Sequence, residues 1–486
     1  VDHRRSLGSA SLWTIAGTFV PGVGLWRGGH RVVGGVLAGA WLLTLGALAG
    51  MAAWRRTELL AAAADPGILN ATAAVLVGIA LLWVTTLVAT HLVLRPVPAS
   101  VGQRLAGGVL VGALSLVLCV PLGLAANLAV TTAEGLDVLE QSSATVPKVD
   151  VQDPWSEMPR VNILLLGGDS GTGRDIRLGV RPDSVMLLSV DTHTGAASII
   201  NLPRQTAKMP FPKSSPLYRY YPKGFYDGVS GLNQEYALNA MYKNIPARVP
   251  AGILGRTSNL GADVMKISVG EALGLRVDYY VLVNMDGFKD IINAIGGIRL
   301  NVNDRVPIGG RNASGGKPAI PPTGWIEIGQ NKLLDGRKAL WFARGRYQTV
   351  DYMRMSRQRC VIQALAKQAD PPTVLANYQA LVSAGARTIS TDVPRKLLPA
   401  LAELALKMRG RPMHSLLLEQ KVGFRSWDPN WPAVRKLVRN TLAEADATPG
   451  ASSTPANPSP NVSTGARPAR TSSANLDDEC AYHPSR

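Results

Sequence analysis

Residues 161–202 read VNILLLGGDSGTGRDIRLGVRPDSVMLLSVDTHTGAASIINL. Three apolar runs stand out in this stretch: Val161–Leu166, Ser184–Val190 and Ala197–Leu202. Each is short and bounded by turn residues, the pattern of a buried strand. Further on, Asp263–Leu273 predicts an amphipathic helix and Tyr279–Asn284 a strand. Gly287–Ile295 predicts a helix stopped by Gly296-Gly297, and Ile298–Val302 another strand. Asp351–Gln368 reads as a long helix with Met353, Met355, Val361, Ile362, Leu365 and Ala366 available for burial. Strands alternating with helices predict an α/β layered sandwich over residues 159–445. That length is enough for one substantial core.

N-terminal to this domain, residues 1–133 are rich in Ala, Leu, Val and Gly and almost uncharged. Three runs reach the roughly 20 apolar residues that a bilayer requires: about Val32–Trp54, Ile68–Leu94 and Leu105–Thr132. A fourth, Leu12–Trp26, is shorter and interrupted by Pro21, Gly22 and Gly24, and reads as interfacial or re-entrant. With three spans and the N-terminus inside, Arg4, Arg5, Arg27, Arg31, Arg95 and Arg104 are cytoplasmic, and only Arg55 and Arg56 are outside. This bias places the α/β domain on the extracytoplasmic side. Residues 134–158 read as a linker. Beyond the domain, residues 446–474 are rich in Pro, Ser, Thr and Ala and predict a second linker. The tail 475–486 carries Cys480, which either pairs with Cys360 in an oxidising compartment or leaves two free thiols.

The formal net charge is +17. Nucleic acid, an anionic membrane and a phosphorylated substrate are the candidate partners. An outer location disfavours nucleic acid and favours phosphates on lipids or wall polymers. The three cysteines form no CxxC pair and the six histidines are scattered, so no zinc site is indicated.

Gly167–Arg174, GGDSGTGR, contains the GDSG of trypsin-like proteases, but the upstream histidines lie in or beside membrane segments. It also mimics half a P-loop without the Lys-Ser/Thr pair. Both readings are rejected. Asp169 follows one predicted strand and Asp183 precedes the next. Either they are turn residues, or they meet as two hard ligands for Mg²⁺. Arg181 and Arg204 lie at edges of the same strands, as surface groups or as phosphate clamps. Ala343–Cys360, ARGRYQTVDYMRMSRQRC, holds five arginines. Arg344 and Arg346 are two apart and point the same way in extended chain. Asp351, Arg354 and Gln358 share one helix face, either solvated or lining a polar site.

Taken in order, VNILLLGGD, RPDSVMLLSVD, IINLPRQT, DYYVLVNMDGFKDIINAIGGIRLNV and LLDGRKALWFARGRYQTVDYMRMSRQRCVIQAL resemble the LytR–CpsA–Psr family, and WDPNWPAVRKLV is similar to its end. The resemblance implies an α/β/α sandwich with a mixed central sheet and an apolar pocket for a lipid chain. It implies transfer of a glycopolymer from polyprenyl (decaprenyl or undecaprenyl) pyrophosphate to peptidoglycan at a cell membrane, or a non-catalytic regulator or carrier-binding scaffold on the same fold. By match, Asp169 and Asp183 would hold Mg²⁺. Arg181, Arg204, Arg344, Arg346, Arg354 and Gln358 would bind phosphate, and Arg204, Arg344, Arg346 and Asp351 would act in catalysis. The Ala/Arg/Gly/Val-rich composition fits a high-GC bacterium, where arabinogalactan or a related polymer is the analogous cargo. Two departures stand: Gln205 replaces the acid of the family's Pro-Arg-Asp, and Gly231-Leu232-Asn233 lacks a lysine that Lys223 would replace.

Overall fold

In the computed structural model, β1 (Arg160–Gly168) lies inside a seven-stranded mixed sheet. The structure describes residues 7–54, 62, 65–139, 143–150, 153–168, 181–229, 233–313, 318–368, 389–409, 411–447 and 474–484. β1 pairs antiparallel with β2 (Pro182–Asp191), which pairs antiparallel with β3 (Ala197–Leu202). On its other edge β1 runs parallel to β4 (Tyr279–Val283), and β9 (Ile389–Thr391) closes that side. β10 (Met413–Leu417) pairs parallel with β3, and β11 (Ala474–Asn475) pairs antiparallel with β10.

The period-two alternation of the strands divides the core into two layers. Leu164, Leu166, Val185, Leu187, Ile200 and Leu202 face one side. There they meet α6 (Leu238–Asn244), α7 (Leu260–Leu273) and α12 (Trp431–Ala447). Val161, Met186, Val190 and Ile199 face the other side, with Leu404 of α11 (Leu398–Met408) and Leu476 of α13 (Leu476–Glu479). Helices therefore cover both faces, and the α/β/α sandwich is as expected.

A third cluster supports the region between β4 and β9. Here α8 (Met285–Ala294), α9 (Gly336–Arg344) and α10 (Asp351–Gln368) pack on two hairpin-like pairs. One pair is β5 (Ile298–Val302) with β8 (Gly329–Leu334); the other is β6 (Val306–Arg311) with β7 (Ile320–Ile326). Asn259, Asn284 and Asp335 cap α7, α8 and α9 by accepting backbone N–H groups. Met353 of α10, expected inside, is 39 % exposed, while Met355 on the next helix face is buried.

Two segments expected to be linkers differ in part. Within 134–158, helix α5 (Val101–Leu139) continues to Leu139. Beyond it, Val146, Val149, Trp155 and Met158 pack on the sheet core, and Ser143 and Thr145 donate to buried Asp263 at 2.6 and 2.7 Å. Those spaced apolar residues anchor the segment. Within 446–474, α12 extends to Ala447 and Ala474 already belongs to β11; residues 448–473 lie outside the described residues.

Cys480 is disulfide-bonded to Cys360 of α10, with Cα atoms 5.6 Å apart. Glu479 beside it pairs with buried Arg359 and accepts from Ser356 and from Ser415 at 3.0 Å. The tail is therefore a part of the sandwich, held against the back of α10.

The chain divides into two compact units, Val1–Asp137 and Val138–Arg486. In the first, three helices are long and apolar enough to cross a membrane, over Arg31–Met51, Pro66–Leu94 and Val101–Glu134. They belong to α3 (Arg31–Trp54), α4 (Pro66–Leu94) and α5. The interrupted N-terminal run forms two short helices, α1 (Leu7–Phe19) and α2 (Val23–Arg27), broken at Gly22, whose φ is 91°. Trp83 of α4 donates its indole N–H to Gly17 O at 3.0 Å, tying α1 to α4.

Candidate functional site

A cavity of about 760 Å³ lies between the sheet and α8, α9 and α10. That volume is in the range of small-molecule and cofactor sites. Leu165, Met186, Val281, Ile291, Ile292, Leu340, Val361, Ile362 and Leu365 supply an apolar wall. Five arginines (Arg204, Arg311, Arg344, Arg346, Arg354) and two aspartates (Asp183, Asp351) also line it. The surplus of guanidinium over carboxylate suits an anion.

Each charged group has a structural reason to be there. Asp183 is near the start of β2, and the β1–β2 register sets Gly168 opposite Pro182. Arg204, two residues past β3, forms an ion pair with Asp183 Oδ1. Arg354 and Asp351 are one helical turn apart on α10 and pair at 3.0 Å. Arg354 also donates to Asp183 O at 3.2 Å, which joins the helix to the sheet. Arg346 approaches Asp351 Oδ1 at 3.6 Å. Gln358 is held by donating to Ala343 O at 3.1 Å. Arg344 and Arg346 are exposed and Arg354 is buried, so the positive charge runs from the mouth inward.

Burial pulls the Arg354 guanidinium down to about 10; Asp351 opposes this, and Arg204 and Arg346 push in the same direction as burial. It remains a cation at neutral pH. Its Nε is buried without a hydrogen-bond partner, as is Thr349 Oγ1 at the same cavity. A ligand with several acceptor oxygens would satisfy both donors. Arg344 lies over the Trp341 ring, 5.0 Å from its centroid, and contacts the Met285 sulfur.

Most of the residues singled out by sequence thus meet at one place. Arg181 does not: it is engaged by the Glu235 carboxylate at 2.6 Å and is not among the lining residues. Lys223 is exposed and likewise absent from the lining. Asp169, Gly231 and Leu232 lie outside the described residues. Gln205 does line the cavity, so an amide stands where the resemblance expects an acid. Sequence reasoning missed Arg311 and Asn312. Their signal was Gly309-Gly310, a turn marker; both glycines have positive φ, 74° and 80°, which bends β6 beside the cavity.

The LytR_cpsA_psr family model matches residues 127–430, more than half of the chain and the whole of this site. The chain belongs to the LytR–CpsA–Psr family. It is 30 % identical over 239 residues to a polyisoprenyl-teichoic acid–peptidoglycan teichoic acid transferase TagU of Oceanobacillus iheyensis, covering 49 % of this chain and 58 % of that one. It is 25 % identical over 259 residues to the TagU of Enterococcus faecalis, covering 53 % and 67 %. The match thus spans less than two thirds of the first relative's length. Among solved structures, B. subtilis TagV aligns with 21 % identity and a TM-score of 0.38, covering 60 % of this chain and 98 % of that one. As a LytR–CpsA–Psr domain, the matched region includes both halves of the cavity, the strand-edge Asp183 and Arg204 and the arginines of α9 and α10.

Proposed function

We propose that this chain transfers a glycopolymer from a polyprenyl pyrophosphate carrier to peptidoglycan, releasing polyprenyl phosphate. The observation that carries the reading is a single cavity joining an apolar wall to an excess of guanidinium groups. A polyprenyl pyrophosphate has the matching halves, an apolar chain and a polyanionic head. Family membership and the similarity to teichoic acid transferases support the same chemistry. The carrier is decaprenyl or undecaprenyl phosphate, and the high-GC composition points to arabinogalactan or a related wall polymer as cargo.

In this reading Arg204, Arg344, Arg346 and Arg354 grip the diphosphate, with Gln358 completing the polar wall. An acceptor sugar hydroxyl attacks the sugar-proximal phosphorus. The new bond joins the acceptor oxygen to that phosphorus, and the bond to the bridging oxygen breaks, so polyprenyl phosphate leaves. In this reading Asp351, which pairs with Arg354 at 3.0 Å, takes the hydroxyl proton. Charge building on the leaving phosphate is offset by the arginines.

Asp183 offers one hard oxygen ligand inside the cavity. Among the described residues no group of three or more His, Cys, Asp or Glu gathers to hold a metal. Mg²⁺ is commonly held by one or two carboxylates with substrate phosphates, and Asp183 supplies one such carboxylate. Asp183, together with Asp169, would hold it. When bound, the cation would neutralise charge on the phosphate oxygens.

Three helices long and apolar enough to cross a membrane support a multi-pass arrangement in this reading, and the arginine bias supports a sandwich outside the cytoplasm. The test is to give the full chain in detergent a polyprenyl pyrophosphate-linked glycan and peptidoglycan, with Mg²⁺ or with EDTA. Glycan on peptidoglycan and released polyprenyl phosphate, both dependent on Mg²⁺, are expected. Tight binding with no release under any condition would instead support a carrier-binding scaffold or regulator, the reading favoured by Gln205 in the cavity wall.

A further inference from the structure

The hairpin between α4 and α5 encloses a second cavity, of about 190 Å³. Val88, Leu92 and Val111 form its apolar wall, and His91, Arg95 and Arg104 lie on its polar side. His91 is 7 % exposed, and its Nδ1 has no hydrogen-bond partner. The ring is held in place, because a Cβ at Gly107 of α5 would fall 2.2 Å from His91 Nε2. A buried imidazole nitrogen without a partner is costly unless a ligand supplies one.

The two arginines add charge to this unsatisfied group. Arg95 is the C-cap of α4, and Arg104 is in the first turn of α5. Neither has a carboxylate partner among the described residues. Asp65 caps the opposite end of the 29-residue α4, roughly 43 Å away by helical rise. Both flanking helices are long and apolar enough to cross a bilayer, and a turn joining two such spans would lie at the membrane–water interface. Phosphates of lipid headgroups are the anions available there. A topological role would account for arginines at a cytoplasmic turn. It would account neither for the cavity nor for the unpartnered nitrogen of a buried histidine.

We infer that this cavity binds the headgroup phosphate of an anionic glycerophospholipid. Arg95 and Arg104 contact the phosphate oxygens, the His91 Nδ1–H donates to the same group, and the lipid's apolar part lies along Val88, Leu92 and Val111. The site is separate from the transfer reaction and does not rest on it.

The test is native mass spectrometry of the full chain in detergent, where membrane orientation plays no part. The protein is titrated with phosphatidylglycerol, with phosphatidylcholine and with inorganic phosphate. One phosphatidylglycerol is expected to be retained in preference to phosphatidylcholine. Arg95→Gln with Arg104→Gln should weaken it about thirtyfold, or about 2 kcal/mol at 1.4 kcal/mol per tenfold. His91→Leu, which keeps both charges, should weaken it severalfold. Arg27→Gln with Arg31→Gln, basic residues outside this cavity, should leave it unchanged. Three results would overturn the inference: undiminished phosphatidylglycerol binding by the Arg95/Arg104 variant, equal loss in the Arg27/Arg31 variant, or inorganic phosphate competing as well as the lipid.

Discussion

Arg354 is 2 % exposed and lies beneath two arginines at the cavity mouth. Desolvating a guanidinium is costly, and here two carboxylate-bearing residues offset the cost: Asp351 through its side chain and Asp183 through its carbonyl. Arg344 and Arg346 differ, both being exposed, Arg344 at the end of α9 and Arg346 between α9 and α10. Arg344→Ala or Arg346→Ala should therefore leave folding stability within about 0.5 kcal/mol of the parent. Each should lower kcat/KM for transfer by about 1.5–3 kcal/mol, the value of a charge-assisted phosphate contact, roughly 10- to 150-fold. Unchanged turnover in both variants, with intact circular dichroism, would contradict the clamp. A purely structural pair behaves in the opposite way. Lys266 Nζ meets Asp392 Oδ2 at 2.5 Å with both side chains buried, and Asp392 also accepts from Tyr280 N at 2.7 Å. Lys266→Met leaves that carboxylate unpaired and should cost about 3–5 kcal/mol in urea unfolding. Asp392→Asn with Lys266→Met should recover part of the loss. At this scale the sequence was informative where spacing forces proximity: Asp351, Arg354 and Gln358 share a face because a helix has 3.6 residues per turn. The position of Arg181 was not legible, because a residue beside a strand can turn either way, and the Glu235 carboxylate that holds it is 54 positions along the chain.

At the scale of elements, α10 is the piece on which most else depends. One face carries Asp351, Arg354 and Gln358 into the cavity; Val361 and Ala364 pack on the hairpins; Arg359, Cys360 and Gln363 hold the tail. The helix was legible as a long amphipathic run, as were β1, β2 and β3, because buried strands are short apolar runs between turns. β10, β11 and the docking of the tail were not. MHSLL is five residues with a histidine and a serine, and β11 is two residues that become a strand only by pairing with His414 and Ser415. Long-range pairing leaves no local signal. Cysteine counting left the Cys360–Cys480 bond open, and the structure places both sulfurs together. Because 120 residues separate them, the cross-link removes much freedom from the unfolded chain. Cys360→Ser with Cys480→Ser should lower stability by about 2–5 kcal/mol, and a reductant should lower the Tm of the parent but not of the variant. A thermal melt indifferent to reductant would contradict a stabilising strap.

At the scale of the whole molecule, three apolar helices precede a basic α/β/α domain. The proposed chemistry requires that domain to reach wall polymers, so its side of the membrane is a prediction in itself. Protease added to intact spheroplasts should cleave within the Pro/Ser/Thr/Ala-rich 446–474 segment and spare the turn at Arg95–Arg104. Cleavage only after lysis would contradict the orientation. Fold class and the long apolar helices were readable from composition and periodicity because each depends on many residues at once. The cavity was not, because it arises where α8, α9 and α10 meet the sheet, and that junction is set by packing between distant segments. The most direct measurement of the central claim is a structure of the full chain with a bound polyprenyl pyrophosphate. Its diphosphate is predicted within hydrogen-bond reach of Arg204, Arg346 and Arg354, with the prenyl chain along Leu165, Met186, Val281 and Ile362. A diphosphate bound elsewhere, or a cavity that stays empty beside excess carrier, would contradict it.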